Sequence, residues 1–414
     1  MADDRRSGSS PPHWADEHGE GPDLHRDAAE APPAPARRPA HLKLVSDRTA
    51  AKAGVGTDTR PWALSAIKCL EAERMRPRVT PLVAIPCPEL PGISFILKDE
   101  SAHPTGSLKH RLAHALFTHG IASGEIAPGT LLTQGSSGST AIAEAWFARK
   151  LGLRYLAVLP ATTTAVKLDA IRDEEAEIVL AKPGAHLARM AADIAREEGG
   201  YHLDQFARAA DACDWRGDGN IAAEAIEQLK AQGYADPRWI VAGAGTGGTA
   251  STIGRYLRTR PELAACRLCV VDPEGSAYFR YFATGDAAAR GVASPVVEGI
   301  GRGRTSPAFL PGVIDHMVSV SDEGSVAGAH WIEERIGRRF GPSTGTSMIG
   351  ALILGQAMAR RGESGTILLL GCDRGERYAD TIYDPAWCAE RRLDCGGWHN
   401  LLRAVGAPQF PAAF

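Results

Sequence analysis

Short apolar runs alternate with helix-like patterns along most of the chain, from about residue 60 onward. An apolar run of roughly four to eight residues predicts a buried strand, whereas apolar residues three and four positions apart predict a helix face. Regular alternation of the two is typical of parallel sheets covered by helices on both faces, so we predict an α/β fold. The predicted strands are 93–98, 130–134, 155–159, 177–180, 239–242, 268–271 and 366–370. The predicted helices are 108–119, 141–151, 188–198, 221–232, 248–259, 325–338 and 347–361.

The N-terminal region, residues 1–58, lacks this periodicity and is rich in proline, alanine and charged residues. Such a composition buries too little apolar surface to offset the entropy lost on ordering. We therefore predict a disordered tail. Its first ten residues contain no apolar core, so no secretory signal peptide is predicted.

Composition narrows the class of protein. The chain has 414 residues and a formal net charge of −3, which argues against a general role in binding nucleic acid or membrane surfaces. No apolar run approaches the roughly 20 residues needed to span a bilayer. Neither the eight cysteines nor the 13 histidines form a metal-binding pattern, so no metal is expected. The single CxxC pair, Cys266 and Cys269, lies in an apolar run that favours buried thiols in a reducing cytoplasm.

The most informative motif puts Lys109 directly after a Pro-Thr-Gly-Ser turn. Pro104 and Gly106 end the preceding strand pattern, and Leu112 and Leu116 continue a helix face after the turn. Lys109 is therefore expected in the first turn of a helix, on a rigid element. A lysine in such a position can act as a Schiff-base nucleophile, because burial readily lowers the pKa of an ammonium group.

A second motif of small and hydroxyl residues follows the strand predicted at 130–134 and begins the next helix. Hydroxyl groups and free backbone amides at a helix N-terminus form a site for a carboxylate or a phosphate. Taken alone, the motif is equally typical of a serine-rich turn with a helix cap. Its residues are Gly135, Ser136, Ser137, Gly138, Ser139 and Thr140.

A third motif, residues 243–249, reads Gly-Ala-Gly-Thr-Gly-Gly-Thr between a predicted strand and a predicted helix. Glycines let backbone amides crowd around a phosphate without steric clash. Gly243, Gly245 and Gly248 also match GxGxxG, and Asp272 ends the next predicted strand, so a dinucleotide-binding turn is a local alternative. The lysine motif argues against it, because a nicotinamide enzyme has no need of that turn.

Three later segments complete the set. Residues 297–303 alternate glycine with other residues, which allows a backbone to pass close to a flat ligand. Residues 341–345 are interpreted as a helix-entry loop that lines the pocket. Residues 372–378 follow an apolar strand, and the carboxyl ends of parallel strands are where α/β sheets usually bind ligands.

In this order, the motifs resemble the β-family of pyridoxal-phosphate enzymes, the fold-type-II group that includes cysteine synthase, cystathionine β-synthase and cysteine desulfhydrases. The resemblance extends from about Arg78 to Tyr378. The similar segments are the Thr-Pro-Leu motif at 80–82, the lysine motif at 104–111, the serine motif at 136–140, the Gln-Phe pair at 205–206, the glycine motif at 245–249, Glu-Gly-Ile-Gly at 298–301 and Gly-Glu-Arg-Tyr at 375–378.

The resemblance implies pyridoxal 5'-phosphate as the cofactor and Lys109 as the catalytic, Schiff-base lysine. It also implies a cup for the cofactor phosphate, a loop beside the ring and a grip for the substrate carboxylate. The implied cofactor-binding residues are Lys109, Ser139, Gly245, Thr246, Gly247, Gly248, Thr249, Gly299, Cys372 and Asp373. The implied substrate-binding residues are Ser136, Ser137, Gly138, Thr140 and Gln205.

Three departures from the family pattern bear on the substrate. Ser139 stands where the cysteine synthase loop has asparagine. The position that contacts the pyridine nitrogen is usually Ser or Thr, and here the candidates are Asp373, whose ionised form would strengthen the electron sink, and Cys372. Residues 214–220 resemble a branch of cysteine synthase-like proteins that includes cysteine desulfhydrases.

The activity we expect is β-elimination on L-cysteine, which yields sulfide, pyruvate and ammonia through an aminoacrylate intermediate. The alternative is cysteine synthase-type β-replacement on an O-activated serine. More distant alternatives are a non-catalytic paralogue that binds the cofactor and a nicotinamide oxidoreductase.

The family architecture implies two α/β lobes with the cofactor in the cleft between them. The large lobe is expected over residues 59–113 and 213–395, a small mobile lobe over 114–212 and a C-terminal tail over 396–414. The resemblance further implies a homodimer that acts on a small amino acid. Cysteine usage and net charge favour a cytoplasmic protein with no nucleic-acid or membrane partner.

Overall fold

The computed structural model describes residues 58–74, 79–136, 138–293 and 295–412. The predicted disordered tail lies outside these residues, apart from residue 58. The strands are β1 (Leu82–Ile85), β2 (Ile93–Asp99), β3 (Leu132–Gly135), β4 (Tyr155–Pro160), β5 (Glu177–Ala181), β6 (Tyr201–His202), β7 (Pro237–Gly243), β8 (Arg267–Pro273), β9 (His316–Val320) and β10 (Gly365–Gly371). The helices are α1 (Arg60–Arg74), α2 (Lys109–Ala122), α3 (Ser139–Leu151), α4 (Ala165–Arg172), α5 (Leu187–Glu197), α6 (Gln205–Ala212), α7 (Ile221–Ala231), α8 (Gly248–Arg258), α9 (Ala277–Thr284), α10 (Asp322–Ile336), α11 (Pro342–Arg360), α12 (Pro385–Glu390) and α13 (Gly396–Leu402).

A six-stranded sheet has the order β1-β2-β10-β7-β8-β9. Its strands run parallel except for β1, which pairs antiparallel with β2 at one edge. Phe95, Leu97 and Val241 pack with residues of α10 and α11 on one face. Ile96 and Ile240 pack with residues of α7 and α8 on the other face. Both faces are therefore buried, which explains why these strands appear in the sequence as continuous apolar runs.

A four-stranded parallel sheet has the order β5-β4-β3-β6. Tyr155, Ala157 and Leu159 of β4 pack with α2 and α3, whereas Leu156 and Val158 face α5. All four strands lie between residues 132 and 202. They thus fall within the range predicted for the small lobe, and the lobe boundaries themselves stay predictions.

The α/β fold class is confirmed, and the differences from the predicted elements have local causes. Strand β1 was not predicted because it is only four residues long and lies at a sheet edge. Helix α11 begins at Pro342, five residues before the predicted start, because proline suits the first turn of a helix, where its missing amide is not needed.

The C-terminal region expected as a tail over residues 396–414 contains helix α13, and Phe410 is fully buried against the core that includes Leu402 and Val405. Among the described residues, no helix has both the length and the apolar character that crossing a membrane requires. The same residues contain no cluster of histidine, cysteine, aspartate or glutamate side chains suited to a metal ion.

Candidate active site

Three helix N-termini open on one cleft of about 2550 Å³, which is lined by residues that follow strands of both sheets. Helix α2 begins at Lys109, α3 at Ser139 and α8 at Gly248. In none of the three does the side chain of the capping residue accept a helix amide. Because the first amides of a helix have no partner within the helix and carry partial positive charge, the cleft is suited to anionic groups.

The turn before Lys109 is bound to the end of β10. Leu108 N donates to Cys372 O at 2.7 Å, and Arg374 N donates to Gly106 O at 3.2 Å. Gly106 has a φ of +70°, and a β-carbon there would lie 2.9 Å from Arg377 Nη2, so the turn requires glycine. The half-buried Lys109 side chain has neither a hydrogen bond nor an ion pair within the part of the chain that the structure describes. Its backbone is thus held while its amine stays available.

The serine loop, defined as Ser136 and residues 138–140, connects β3 to α3. Gly138 N donates to Ser136 Oγ at 3.2 Å. Thr140 Oγ1 donates to Gln205 Oε1 at 2.9 Å, which ties the loop to the start of α6. Ser137 lies outside the described residues. The loop therefore presents hydroxyl groups and helix amides together at the cleft, as the sequence motif predicts.

The glycine loop, residues 245–249, connects β7 to α8. A β-carbon at Gly245 would lie 2.2 Å from Gly299 O, and one at Gly247, whose φ is +91°, would lie 2.5 Å from Phe309 Cα. Tyr278 donates to Gly245 O at 2.8 Å. Close packing behind the loop thus requires glycine, and the N-terminus of α8 lies at the cleft.

Asp373 is a buried carboxyl group beside the Lys109 turn. Its Oδ2 accepts a 2.7 Å hydrogen bond from Tyr378, and its Oδ1 has no partner among the described residues. Burial raises the pKa of Asp373 above its ordinary value. Burial likewise raises the pKa of the Cys372 thiol to about 12, so this cysteine is not a thiolate nucleophile. Both side chains line the cleft, and the choice between them as the contact of the ring nitrogen stays a prediction.

The helix-entry loop before α11 lies beside Cys372. Thr344 Oγ1 accepts a 3.0 Å hydrogen bond from Cys372 N, and Ser343 interacts with the Cys372 thiol. Ser343 also lines the cleft, as predicted for this loop. A small hydroxyl group is therefore present next to the two residues proposed for the ring nitrogen.

A buried charge network lies behind Lys109 and was not predicted from the sequence. Arg111 Nε donates to Glu100 Oε2 at 2.6 Å, and its Nη1 donates to Glu224 Oε2 at 2.9 Å. Lys98 Nζ lies 2.5 Å from Glu224 Oε1. Burial alone would raise the pKa of Glu100, but Arg111 and His103 hold it well below its usual value. The only signals in the sequence are charged residues directly after an apolar strand pattern, and these do not identify the partners.

Arg377 joins two of the site segments. Its Nη1 donates to Ser139 Oγ at 3.1 Å, and its Nη2 donates to Thr105 O at 2.7 Å. The serine loop and the Lys109 turn are thus held at a defined separation. The sequence motif included Arg377 without indicating this contact.

The cleft brings together most of the predicted site residues. Gly138 is next to the lining residues without being one of them, and Asp272 does not line the cleft. Asp272 is fully buried and accepts the Phe279 amide at 2.8 Å, so its carboxylate is used inside the fold and is not presented to a ribose. The predicted residues that line the cleft are Lys109, Ser136, Ser139, Thr140, Gln205, Gly245, Thr246, Gly247, Gly248, Thr249, Gly299, Cys372 and Asp373.

Comparisons with known proteins show which proteins this chain is similar to. A family model described as "Pyridoxal-phosphate dependent enzyme" matches residues 74–373. L-cysteine desulfhydrase Cds1 of Mycobacterium tuberculosis is 44% identical over 343 residues, covering 82% of this chain and 93% of that protein. N-(2-amino-2-carboxyethyl)-L-glutamate synthase of Ralstonia nicotianae is 31% identical over 301 residues, covering 70% and 83% respectively. The crystal structure of O-acetylserine dependent cystathionine beta-synthase from Helicobacter pylori superposes with a TM-score of 0.64 at 25% identity, covering 76% and 98%.

Proposed function

Because this chain belongs to the family of pyridoxal-phosphate dependent enzymes, we propose that it catalyses β-elimination on L-cysteine. One water molecule is consumed for each cysteine, and the products are sulfide, pyruvate and ammonia. The structural observation that carries the proposal is the amine of Lys109, which has no partner among the described residues and shares a cleft with two uncapped helix N-termini. Elimination is preferred because the relative that is 44% identical is an L-cysteine desulfhydrase.

The residues of the cleft fit the cofactor. Lys109 offers an amine for its aldehyde, and the glycine loop offers backbone amides and two threonine hydroxyls for its phosphate. Asp373 has a buried carboxyl oxygen without a partner in the described part of the chain, and this oxygen is available to contact the pyridine ring of the cofactor. We therefore assign cofactor binding to Lys109, the glycine loop, Gly299, and either Asp373 or Cys372.

When bound, pyridoxal phosphate supplies an electron sink that stabilises negative charge at the substrate α-carbon. The amine of Lys109 is the base that we assign to the α-proton, because it is the amine at the start of α2 and it has no competing partner in the described residues. Hydroxyl groups and amides of the serine loop, together with Gln205, bind the substrate carboxylate in this proposal. Arg377 holds the serine loop and the Lys109 turn next to each other through its hydrogen bonds to Ser139 and Thr105.

Replacement on an O-activated serine is the second candidate function. It is supported by the similarity to the Ralstonia synthase and by the superposition on the O-acetylserine dependent enzyme. Nicotinamide chemistry is not retained, since the family is pyridoxal-phosphate dependent and Asp272 is enclosed in the fold.

The remaining family features are proposals as well. We assign residues 59–113 and 213–395 to a large lobe and residues 114–212 to a small mobile lobe, which is supported by the separation of the two sheets along the chain. We also assign the protein to the cytoplasm as a homodimer that acts on a small amino acid, and the similarity to an L-cysteine desulfhydrase supports the substrate class. The net charge of −3 supports the expectation of no nucleic-acid or membrane partner.

The purified protein, loaded with cofactor and incubated with L-cysteine alone, tests the proposal. We expect sulfide and pyruvate in equal amounts and no product from Lys109→Ala. Lys182→Ala is the matched control, because Lys182 is an exposed lysine that does not line the cleft. Absence of sulfide together with fast cysteine formation from O-acetylserine and sulfide would reverse the order of the two candidates.

A further inference from the structure

Lys167 lies on helix α4, which connects β4 and β5 of the four-stranded sheet, and it contacts segments that follow strands β8 and β10 of the six-stranded sheet. The side chain is buried, with 5% of the residue exposed, although lysine is rarely enclosed in a fold. Its Nζ forms an ion pair with Glu298 Oε2. The same Nζ lies 5.6 Å from the centroid of the Tyr378 ring, within the range of a cation–π contact.

The alkyl part of Lys167 packs on the serine loop. A β-carbon at Gly138 would lie 3.1 Å from Lys167 Cδ, so the stem rests directly on the residue that caps α3. The ammonium group is bound at the other end by Glu298, the neighbour of Gly299 in the loop that lines the cleft. One side chain thus touches the serine loop and is bound on the side of the cleft that carries the glycine loop.

Electrostatics explains why this arrangement holds the two segments together. A buried ammonium group is costly unless it is paired. Lys167 has its counter-ion on a different segment, and the Glu298 side chain is 42% exposed, so the pair is maintained only while the two segments stay together. The ion pair between Arg172 and Asp169 on the same helix cannot have this effect, because both of its members lie on α4 and are exposed.

We propose that Lys167 is a positioning residue that holds the serine loop in its substrate-binding geometry through the ion pair with Glu298. This role rests on the proposed function in one respect, namely that the loop binds the substrate carboxylate. The contact with Gly138 and the ion pair do not depend on which reaction the cleft performs.

Hydrogen exchange of the cofactor-loaded protein tests the positioning without any substrate. Lys167→Met keeps the stem and removes the charge, and Glu298→Gln removes the counter-ion. We expect amides of residues 138–142 to exchange roughly threefold faster or more in both variants. Lys167→Arg keeps the positive charge, so its amides should exchange as slowly as those of the unaltered protein. The same result is expected for Arg172→Gln, the matched control on α4. Equal exchange in Lys167→Met and the unaltered protein would overturn the proposal.

Steady-state kinetics with L-cysteine provides the second readout. We expect KM to rise about tenfold in Lys167→Met, with kcat within about twofold, because the loss falls on substrate positioning. The double variant Lys167→Met with Glu298→Gln should have a KM no higher than that of the single variant with the larger increase. If the two increases in KM multiply in the double variant, the residues act independently, which would refute the ion-pair mechanism. If the unaltered protein releases no sulfide, the proposed function fails, and the exchange experiment still decides the role of Lys167.

Discussion

Tyr378 donates a 2.7 Å hydrogen bond to Asp373 Oδ2, and both side chains are buried in the wall of the cleft. Burial raises the pKa of Asp373, and the hydrogen bond from Tyr378 opposes this shift. The tyrosine hydroxyl therefore helps to decide how readily a carboxyl group beside the Lys109 turn ionises.

Removal of that hydroxyl should change the pH dependence of the reaction. In Tyr378→Phe, Asp373 loses a donor to its charged form, so its pKa rises further. We expect the acid limb of kcat/KM for L-cysteine to move to higher pH by roughly half to one unit. Tyr234→Phe, which alters a tyrosine that does not line the cleft, is the control. An acid limb that stays in place would show that ionised Asp373 is not needed.

The carboxyl group of Glu144 should make stability fall with rising pH. Glu144 is fully buried in α3, and burial raises its pKa to about 8. Between its ordinary pKa of 4.5 and about 8, the folded protein retains a proton that the unfolded chain loses. The free energy of unfolding therefore declines across this interval.

Glu144→Gln tests this effect, because the amide oxygen can still accept from Tyr155 while no proton is exchanged. As the pH rises from 5 to 8.5, we expect the free energy of unfolding of the variant to increase relative to that of the unaltered protein by on the order of a few kcal/mol. Thermal unfolding at the two pH values measures the difference, with Glu262→Gln at an exposed position as the control. Parallel pH profiles would contradict the assignment.

Gly247→Ala should weaken cofactor binding. The residue has a φ of +91°, and its β-carbon would lie 2.5 Å from Phe309 Cα, so the glycine loop must shift. Backbone strain of about 1–3 kcal/mol corresponds to a loss of roughly tenfold or more in affinity for pyridoxal phosphate. Titration of the apoprotein, followed by absorbance, gives the dissociation constant. Gly303→Ala is the control, because nothing lies within 4 Å of its added carbon, and equal affinities in the two variants would refute the steric argument.

Ser139→Asn should shift the balance between elimination and replacement. Asparagine stands at this position in the cysteine synthase loop that the sequence resembles, and its longer amide reaches further into the cleft. We expect kcat/KM for sulfide release to fall about fivefold relative to that for cysteine formation from O-acetylserine. Ser139→Ala separates this effect from loss of the Arg377 hydrogen bond. An unchanged ratio would remove Ser139 from the determinants of specificity.

Arg111→Ala should destabilise the fold strongly. The substitution leaves Glu100 buried without its guanidinium partner, and breaking a buried ion pair costs about 3–5 kcal/mol. The loss should appear as a lower midpoint in thermal unfolding and as weaker cofactor retention, because α2 carries Lys109. Arg154→Ala removes an exposed pair with Glu177 and should change the midpoint little. Similar midpoints for the two variants would mean that the buried network adds nothing to stability.

Local features of the site were predictable because each depends on a few consecutive residues. The Lys109 turn, the serine loop and the glycine loop each combine a strand end, small residues and a helix start, and the structure brings all three to one cleft. Helix α11 shows the limit of this reasoning, since its first turn has the composition of a loop. The position of Asp272 also needed the structure, because a local GxGxxG match does not reveal where a distant carboxylate points.

The sequence by itself determined the α/β class and the local form of the Lys109 turn, the serine loop and the glycine loop, because periodicity and turn chemistry act over short stretches of chain. Only the tertiary structure decided which distant charges meet. Lys167 and Glu298 are 131 positions apart in the sequence, and Arg111 and Glu224, which lie on different helices, are 113 positions apart. Where packed elements exclude water, a buried charge is costly unless it is paired. Which charges are buried together depends on the packing of distant elements, so these ion pairs follow from the fold as a whole.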